Sequence, residues 1–491
     1  MADKETPYES RLFINNEFVH ATSGRTLSVH NPANGDYVGC VEVAGAGDVD
    51  AAVRAAGAAF KGPWSTFTGA KRRDCLIKFA DLIEKRIETL ARVETLSMGA
   101  PIMFTQHLLG PWSVSALKAA AGYADKIEGQ SFTDQDDGMY KIVEWCPAGV
   151  CAALSTWNAG LVYFAFYVGA ALASGNTLIY KASEKSPFNA LMIADLIPEA
   201  GFPPGVLNIV SGDGETGALL ASHMQVRVLG FTGSAPTGKK VAELAAQSNM
   251  KKTILELGGK APGIVFDDCD VKNVLQVCAQ HFLAINGQAC TASTRLLVQS
   301  AVADQITQGM KEAFEQVEAM MPCDPLDPTA GVGALADEKQ LRHVLDGLEM
   351  GKQSGGRVLT GGSRKGTVGC YVQPTIFVDV DEDSRLWREE VYGPVVLIKT
   401  FETEEEAIRL GNDTEYGLAA QIFTTDMARA IRVARKMEAG VVSINAGGVG
   451  DLQSAFGGTK ASGHGRTGGW YGLREFMEPK TIKINMNYRQ D

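Results

Sequence analysis

The sequence predicts an α/β protein built on two parallel sheets. From Cys151 onward, short apolar runs alternate with segments of helix length, and these runs are CAALS, TLIYKA, VLNIV, RVLGF and TILEL. A second alternating block begins near Gly263 with GIVF and continues through RLLV, VVLIKTF, LAAQIF and VVSIN. Such alternation is typical of parallel strands joined by crossover helices. Because 491 residues exceed what one hydrophobic core usually supports, we expect two lobes with a cleft between them.

The N-terminal portion is expected to supply helices that cover the first sheet. Between Lys71 and Gly99, apolar residues recur at intervals of three and four, which predicts a helix that Gly99 and Pro101 end. Its apolar stripe consists of Leu76, Phe79, Ala80, Ile83, Ile87 and Leu90. The longest apolar stretch, residues 159 to 175, is slightly short of a bilayer span and contains Gly169. We therefore predict a buried helix there.

Two further segments alternate apolar and polar residues with a period of two, but they belong to neither block. They are KIVEW, residues 141 to 145, and TIKINM, residues 481 to 486. We expect strands that pair with each other or with another subunit, because unpaired strand edges attract partners. Ordinary edge strands of a monomer remain the alternative.

Composition narrows the classes of partner. The formal net charge of -11 disfavours nucleic acid and anionic membrane surfaces, so small molecules are the expected partners. The N-terminal segment MADKETPYES has no apolar core, which predicts a cytoplasmic protein rather than a secreted one. Nine cysteines without CxxC or HxxxH spacing predict reduced thiols and no metal site.

Three segments of the first block have features of a dinucleotide site. FTGS, residues 231 to 234, follows a strand and opens a helix, whose free N–H groups attract a phosphate. GDGETG, residues 212 to 217, matches GxGxxG but follows the third strand and lacks the expected later acid, so a plain turn is the alternative. In IYKASE, Glu184 can accept both hydroxyls of an adenosine ribose and would repel a 2′-phosphate. This favours NAD as the cofactor and leaves NADP possible. The alternative interpretation of Lys181 and Glu184 is an ion pair on the solvated surface.

Three polar residues in apolar surroundings are candidates for catalysis. Cys290 in GQAC offers a nucleophilic sulfur, which needs electropositive help to form a thiolate. Glu256 in LELGG should have a raised pKa suited to taking a proton from a thiol or from water. Asn158 in STWNAG, after the first strand, offers an amide N–H that can hold an oxyanion. Each has a structural alternative: a buried cysteine, a hydrogen-bonded glutamate or a turn asparagine.

Together these segments resemble the NAD(P)-dependent aldehyde dehydrogenase superfamily over nearly the entire chain. The motifs that carry the resemblance are STWNAG, GNTLIYKASE, GFTGS, LELGGKAP, GQAC, EEVYGPV, NDTEYGLAA and FGGTKASGHGR, in this order. The separation between Glu256 and Cys290 also matches the family's usual spacing. The resemblance implies two Rossmann-like domains and a small β oligomerisation arm. Its expected domains are 1–125 with 148–257 for NAD binding, 258–458 for catalysis, and 126–147 with 473–491 for the arm.

The resemblance also implies residue roles. Cys290 is expected to be the nucleophile, Glu256 the general base, and Asn158 with the Cys290 N–H the oxyanion hole. The implied cofactor residues are Trp157, Gly233 and Ser234 at the pyrophosphate, Lys181 and Glu184 at the adenosine ribose, and Glu390, Gln353 and Lys352 at the nicotinamide ribose. Tyr392 stands near the nicotinamide where phenylalanine is usual, and Ala182 replaces a proline. The implied assembly is a homotetramer or a homodimer.

Departures from the family pattern concern the substrate. Ala159 and Gly160 stand where relatives commonly have an aromatic residue and proline, and Gly450 stands where a bulky aromatic residue is frequent. In having alanine after the asparagine, the chain resembles relatives that oxidise aromatic aldehydes. We therefore expect a widened pocket for a bulky or aromatic aldehyde, and its expected walls are Trp112, Ala159, Tyr163, Phe166, Thr291, Gly450 and Phe456.

The resemblance implies a reaction without a metal. Cys290 attacks the aldehyde, hydride passes to NAD, and Glu256 activates the water that releases the acid from a thioester. Two other classes stay open: a cysteine hydrolase or acyltransferase, and a former enzyme that only binds or has a structural role. The first usually needs a histidine or lysine base that no motif supplies. The second would have lost Cys290, Glu256 or Asn158, and all three are present.

Overall fold

The computed structural model describes residues 7–133, 136–447 and 451–488. It confirms the α/β class, with two large sheets that are mostly parallel and are covered by helices. A three-stranded sheet and two small ribbons complete the described architecture.

The strands, numbered along the chain, are β1 Leu12–Ile14, β2 Glu17–Val19, β3 Thr26–His30, β4 Tyr37–Glu42, β5 Gln130–Phe132, β6 Met139–Pro147, β7 Val150–Leu154, β8 Thr177–Lys181, β9 Leu207–Val210, β10 Val228–Thr232, β11 Lys252–Glu256, β12 Pro262–Val265, β13 Arg295–Gln299, β14 Arg357–Thr360, β15 Thr375–Val378, β16 Val395–Phe401, β17 Tyr416–Gly417, β18 Ala419–Phe423, β19 Val441–Ile444, β20 Thr459–Lys460, β21 Gly463–His464 and β22 Met477–Asn485.

The α-helices are α1 Ala46–Lys61, α2 Gly69–Glu84, α3 Ile87–Met98, α4 Ile102–Phe104, α5 Gly110–Tyr123, α6 Gly160–Ala173, α7 Phe188–Met192, α8 Leu196–Glu199, α9 Gly214–Ser222, α10 Ala235–Ser248, α11 Val271–Leu275, α12 Phe282–Ala284, α13 Ala303–Ala319, α14 Glu338–Gln353, α15 Arg385–Arg388, α16 Glu404–Asn412, α17 Met427–Ala434 and α18 Gly469–Glu475. Short π-helical segments occur at Thr105–Leu109 and Gln276–His281, and 3₁₀ turns at Pro63–Thr66 and Ser300–Val302.

The first sheet has the strand order β2-β1-β9-β8-β7-β10-β11-β21. The five strands from β9 to β11 are parallel, and they are the five predicted from the first alternating block. Their residues are almost all buried, because helices cover both faces of a parallel sheet. The chain leaves β7 toward β8 on one side and returns to β10 on the other. This reversal opens a crevice at the carboxyl ends of β7 and β10, where ligands bind in such sheets.

The second sheet has the order β14-β15-β16-β13-β12-β18-β19, and it is parallel except for the edge strand β14. All five runs of the second alternating block form its strands. Its two faces are covered by separate apolar clusters, one around Leu297, Phe377 and Trp387 and the other around Val298, Phe314 and Phe282. The sheet therefore has a core of its own.

The helices of the first lobe match the predictions with one correction. The apolar stretch 159–175 forms the buried helix α6, as predicted. The prediction of one helix between Lys71 and Gly99 is wrong, because α2 ends at Glu84 and α3 begins at Ile87. Arg86 leaves helical geometry and donates hydrogen bonds to the Met192 carbonyl and the Asp195 carboxylate. The apolar spacing continues across this break, so the sequence pattern does not reveal it.

The two orphan segments pair with each other, which confirms the prediction. β22 pairs antiparallel with β6 along nine residues, with Ile482 opposite Ile142, and β5 joins on the other side of β6. β22 is nearly all exposed after Met477. This three-stranded sheet lies within the segments expected to form the arm. The domain boundaries remain a prediction, and the structure adds that β21, from the C-terminal segment, joins the first sheet.

All nine cysteines are free thiols. Within the described ranges, helices long and apolar enough to cross a membrane are absent. The same residues contain no group of three or more His, Cys, Asp or Glu side chains placed to hold a metal ion.

Candidate active site

The carboxyl edge of the first sheet collects four of the predicted residues. Asn158 follows β7, Lys181 is the last residue of β8, Ser234 follows β10, and Glu256 is the last residue of β11. These strands are neighbours in register, with Thr232 paired to Glu256 and Leu154 to Lys181. The alternating pattern therefore places the predicted nucleotide residues and the predicted base along one edge.

The second lobe brings Cys290 to the same crevice. Cys290 lies in the loop between α12 and β13, and Asn158 Nδ2 donates a hydrogen bond of 3.1 Å to the Gln288 carbonyl in that loop. Gly259, three residues after Glu256, packs against the Cys290 carbonyl so closely that a Cβ atom there would lie 2.3 Å from the oxygen. The two lobes thus meet at the nucleophile.

The thiol of Cys290 lies in an environment that opposes negative charge. Burial, together with the nearby carboxylates of Glu390 and Glu256, raises its pKa to about 12. The sequence predicts the apolar surroundings, and the structure adds the two carboxylates. The thiol is therefore protonated at neutral pH unless another group favours the thiolate.

Glu256 is buried with 2% of its surface exposed. Among the described residues, neither of its carboxyl oxygens has a hydrogen-bond partner. Burial raises its pKa well above the ordinary value, Arg466 opposes this shift, and Glu475 adds to it. The carboxyl group fits against Gly457, where a Cβ atom would lie 2.7 Å from Glu256 Oε1. The predicted raised pKa of Glu256 is thus present.

Glu390 closes the crevice from the second lobe. Its Oε1 atom accepts a hydrogen bond of 2.8 Å from the Gly259 N–H, and its carboxylate abuts Gly258. Burial raises the pKa of Glu390 to about 7, whereas Lys260 lowers it. The pKa of Lys260 itself falls to about 7, mainly because Lys260 is buried. Both glycines of the LELGG segment are therefore required, because groups of the second lobe lie where a side chain would begin.

Trp157 and Tyr392 join the two lobes beside this crevice. Their rings meet edge to face with centroids 5.7 Å apart. Lys185 Nζ lies 5.0 Å from the centroid of the Trp157 ring and forms an ion pair of 2.8 Å with Asp337. Asp337 caps α14, so this contact fixes the helix against the first lobe.

The predicted nucleotide residues lie at and after the carboxyl ends of β8 and β10. Lys181 is buried, and its Nζ atom lies 3.6 Å from the carboxylate of the exposed Glu184. Ser234 is the N-terminal cap of α10, and its side chain makes no capping hydrogen bond to the helix backbone. The Gly233 N–H donates to the Glu256 carbonyl, which ties this turn to the end of β11. The first N–H groups of α10 therefore face the crevice side of the sheet.

Comparison with known proteins agrees with this geometry. The model of the aldehyde dehydrogenase family matches residues 18–482. The chain belongs to the aldehyde dehydrogenase family. It is 41% identical to an aldehyde dehydrogenase of Emericella nidulans, over 98% of this chain and 97% of that one. It is 39% identical to aldehyde dehydrogenase 1A1 of Oryctolagus cuniculus over the full length of both chains.

The solved structures give the same result. A Pseudomonas syringae indole-3-acetaldehyde dehydrogenase, a cysteine-to-alanine mutant of AldA in complex with NAD+ and IAA, is 38% identical. It superposes with a TM-score of 0.93 and covers 97% of each chain. The aldehyde dehydrogenase fold therefore extends over both lobes and the small sheet of this chain.

Four of the residues predicted to line the pocket of this aldehyde dehydrogenase lie on α5, on α6 or directly before α6. Ala159 precedes the helix, and Tyr163 and Phe166 lie on it. Trp112 on α5 contacts Phe166 edge to face, with ring centroids 6.0 Å apart. Thr291 follows the nucleophile, and half-buried Phe456 pairs with Thr467 through the backbone. Gly450 lies outside the described residues.

Lys352 and Gln353, which are predicted to contact the nicotinamide ribose, lie at the end of α14. Both are exposed, and the Nζ atom of Lys352 pairs with Glu349. Their role at the nicotinamide ribose stays a prediction.

Sequence reasoning missed several residues that hold this site. The carboxylate of Glu94 on α3 lies at the start of α6, beside the N–H groups of Gly160 and Leu161, and accepts a hydrogen bond from Asn189. Burial raises the pKa of Glu94 to about 7. Gln288 accepts from the Ala336 N–H and donates to the Ala334 carbonyl, which fixes the nucleophile loop. An acid among apolar residues in α3 is the one signal that could have indicated Glu94.

We expect Gly259→Ala to displace the nucleophile loop, because the added Cβ meets the Cys290 backbone and not a flexible side chain. A displacement of about 1 Å at a reacting group costs roughly a hundredfold in rate, so kcat/KM should fall by about that factor. Gly122→Ala is the matched control, since a Cβ there meets open space. Steady-state kinetics of the two variants provide the measurement, and a wild-type kcat/KM for G259A would contradict the packing described.

Proposed function

We propose that this protein oxidises a bulky or aromatic aldehyde to its carboxylic acid with NAD as the cofactor, through a thiohemiacetal and a thioester on Cys290. The observation that carries the proposal is the convergence of three groups in one desolvated crevice. These groups are the thiol of Cys290, the amide of Asn158 and the carboxyl group of Glu256. A nucleophile, an oxyanion donor and a base are what this conversion needs.

The residues present fit NAD. The buried Lys181 and the exposed Glu184 can hold the hydroxyls of an adenosine ribose, and the free N–H groups at the start of α10 can hold the pyrophosphate beside Trp157, Gly233 and Ser234. Glu390 and Tyr392 line the route toward Cys290, and Gln353 is retained as a proposed ribose contact. Bound NAD supplies the acceptor for the hydride that leaves the aldehyde carbon. NADP remains possible, although Glu184 would repel its 2′-phosphate.

Asn158 is oriented for an oxyanion. Its Oδ1 atom accepts a hydrogen bond from Thr156 Oγ1, and one N–H of its amide donates to the Gln288 carbonyl. An amide nitrogen carries two N–H groups, so one remains for the substrate oxygen. The Cys290 thiol loses its proton to water or to Glu256, and its sulfur forms the bond to the carbonyl carbon while the oxygen takes the electron pair of the C=O bond. The second Asn158 N–H and the Cys290 N–H then stabilise that oxygen.

Glu256 is the proposed base for the water that releases the acid. Its unpaired oxygens can accept a proton from water, and the burial that raises its pKa makes the carboxylate a stronger base. The charge of Arg466 acts in the opposite direction and favours the carboxylate. Water adds to the thioester carbon, its proton goes to Glu256, and the sulfur leaves with the carbon–sulfur electron pair.

The pocket supports a bulky aldehyde. The perpendicular rings of Trp112 and Phe166 offer an aromatic wall, and Ala159 leaves space where a larger side chain would fill it. Tyr163, Thr291, Phe456 and Gly450 complete the proposed walls. The solved relative that holds IAA oxidises an indole aldehyde according to its name, which agrees with an aromatic substrate here.

We also propose a homotetramer or homodimer in the cytoplasm. The exposed strand β22 forms one edge of the three-stranded sheet, and exposed apolar residues on this sheet and its tail are suited to a second copy of the chain. They are Phe132, Ile482, Ile484 and Met486. Nine free thiols are consistent with a reducing compartment.

Replacing the nucleophile tests the reaction class. With NAD and a panel of aldehydes, we expect NADH to form with the wild-type protein and Cys290→Ala to reduce kcat by at least about a thousandfold. NAD binding, followed by quenching of tryptophan fluorescence, should persist in C290A. Ester hydrolysis without NADH formation would instead support a cysteine hydrolase, and NAD binding without either reaction would support a binding protein.

The substrate class has its own test. We expect kcat/KM for benzaldehyde to exceed that for acetaldehyde by at least about tenfold, because the aromatic wall adds contacts that a methyl group cannot make. Trp112→Ala should reduce the value for benzaldehyde more than the value for acetaldehyde. A preference of the wild-type enzyme for acetaldehyde would refute the proposed pocket.

The raised pKa of Glu256 predicts a pH dependence. Because the carboxylate is the basic form, its fraction, and with it kcat, should increase as the pH rises toward that pKa. We expect Glu256→Gln to lower kcat by about 10² to 10⁴ and to abolish this rise, in assays between about pH 6 and pH 9. Glu318→Gln, at a carboxylate paired with Lys365 away from the crevice, is the control. An unchanged pH profile in E256Q would remove Glu256 from the mechanism.

A further inference from the structure

The start of α6 lacks a cap of its own, although it directly follows the proposed oxyanion donor. Asn158 precedes Ala159, which is the N-terminal cap residue of α6 and makes no side-chain hydrogen bond to the helix. The first turn of α6 also contains no acidic residue. The first N–H groups of a helix have no partner within the helix, and together they form its positive end. A group from outside α6 is therefore needed to complete this turn.

Glu94 on α3 supplies a carboxylate at this place. Its Oε1 atom would lie 3.4 Å from a Cβ atom added to Gly160, the first residue of α6. Among the described residues, Oε1 has no hydrogen-bond donor, although Glu94 has only 2% of its surface exposed. A buried carboxylate oxygen without a donor is costly, and the positive end of a helix reduces that cost. The carboxylate and the uncapped helix start therefore stabilise each other.

The second oxygen of Glu94 is tied to the segment that holds the same turn. The Asn189 amide on α7 donates a hydrogen bond of 3.0 Å to Glu94 Oε2. Ser186, three residues before Asn189, donates to the Trp157 carbonyl at 3.4 Å. Contacts from α3 and from the segment at α7 thus meet on both sides of Asn158 in the chain.

The position of the Asn158 amide depends on this turn. Its side chain is hydrogen-bonded to Thr156 and to the Gln288 carbonyl, at 3.2 and 3.1 Å, and its backbone leads directly into the first turn of α6. The remaining N–H of the amide can meet a substrate oxygen only when the backbone is fixed as well, because a displacement of about 1 Å at a reacting group costs roughly a hundredfold in rate. Glu94 can therefore influence the amide through the start of α6.

We propose that Glu94 is a positioning residue: its carboxylate caps the start of α6 from another helix and thereby holds the Asn158 amide in place for the oxyanion. The oxyanion belongs to the proposed function, on which this part of the inference rests. Glu94 replaces a local cap, which Ala159 cannot provide because its methyl side chain has no acceptor. A structural tie between α3 and α7, without an effect on Asn158, is the alternative to be separated.

Glu94→Gln replaces one carboxylate oxygen by an NH2 group and keeps the size of the side chain. Glutamine has a single acceptor oxygen, so it cannot present an oxygen both to the Asn189 amide and to the start of α6. We expect kcat of E94Q to fall by about tenfold or more, while the Kd of NAD stays within about twofold, because the oxyanion exists only during the reaction. Assays at about pH 8.5 keep Glu94 mostly ionised, since burial raises its pKa to about 7.

A double-mutant cycle with Asn158→Ala separates positioning from general destabilisation. If Glu94 acts through the Asn158 amide, E94Q should change kcat by less than about twofold once that amide is gone. An equal fold-reduction in the N158A background and in the wild type would overturn the proposal. Glu318→Gln is the matched control, because Glu318 also accepts a hydrogen bond from a side-chain amide, that of Gln373 at 2.8 Å. We expect E318Q to retain the wild-type kcat.

Hydrogen exchange measured by mass spectrometry tests the turn without any aldehyde. Loss of a helix cap should speed exchange in peptides that cover residues 157 to 166 by about fivefold or more, and E318Q should match the wild type there. Unchanged exchange in E94Q would overturn the proposal, and so would faster exchange with an unchanged kcat. If E94Q does not fold, Asn189→Ala, which removes the donor to Glu94 Oε2, must show the same pattern for the proposal to stand.

Comparison of exchange with activity keeps the two proposals separate. If the wild type oxidises no aldehyde in the panel while E94Q speeds exchange at α6, the proposed function fails and the hold of Glu94 on this turn stands. If the wild type oxidises aldehydes and E94Q matches it in both exchange and kcat, only the role of Glu94 fails. Support for both requires faster exchange, a lower kcat and loss of the effect on kcat in the N158A background.

Discussion

Exclusion of water from the crevice between the lobes is the constraint on which the site depends. Glu256 and Lys260 are buried there, Cys290 and Glu390 are half-buried, and the pKa of each group is shifted toward its neutral form. Burial of a charge without a partner is costly, so the crevice favours the neutral form of each group. The same desolvation makes each group more reactive once a proton has moved. A few neutral hydrogen bonds, such as those of the Asn158 amide, then have a large influence on the chemistry.

Such a crevice requires that the lobes be held closely together. Gly259 allows the backbone of one lobe to touch the Cys290 loop of the other, and the Lys185–Asp337 ion pair joins them on the nucleotide side. The C-terminal segment adds a third support. The Leu257 N–H donates to the Ser462 carbonyl, and Ser462 Oγ donates to the Gly258 carbonyl, immediately beyond Glu256. The base is thus fixed by residues more than two hundred positions away along the chain.

Much of the fold was predictable because parallel strands covered on both faces have an unmistakable apolar pattern. The runs that begin at Cys151 and Gly263 became the central strands of the two sheets, and the period-two segments paired as β6 and β22. The break at Arg86 was not predictable, because side-chain contacts with Met192 and Asp195 create it and the apolar spacing does not change there. Gln353 was assigned from the family resemblance alone, and its exposed position at the end of α14 leaves that assignment a prediction.

The sequence by itself determined the fold class and the family resemblance, and it predicted a nucleophile, a base and an oxyanion donor, because strand periodicity and the local motifs are encoded within short segments. Only the tertiary structure decided which groups set the proton affinity of the sulfur. Glu390 reaches the crevice at Cys290 from a loop about a hundred residues away in sequence. Glu94 similarly reaches the start of α6 from another helix. The physical reason is that desolvation and hydrogen bonding act over a few ångströms of space, and that proximity exists only after the two lobes have packed.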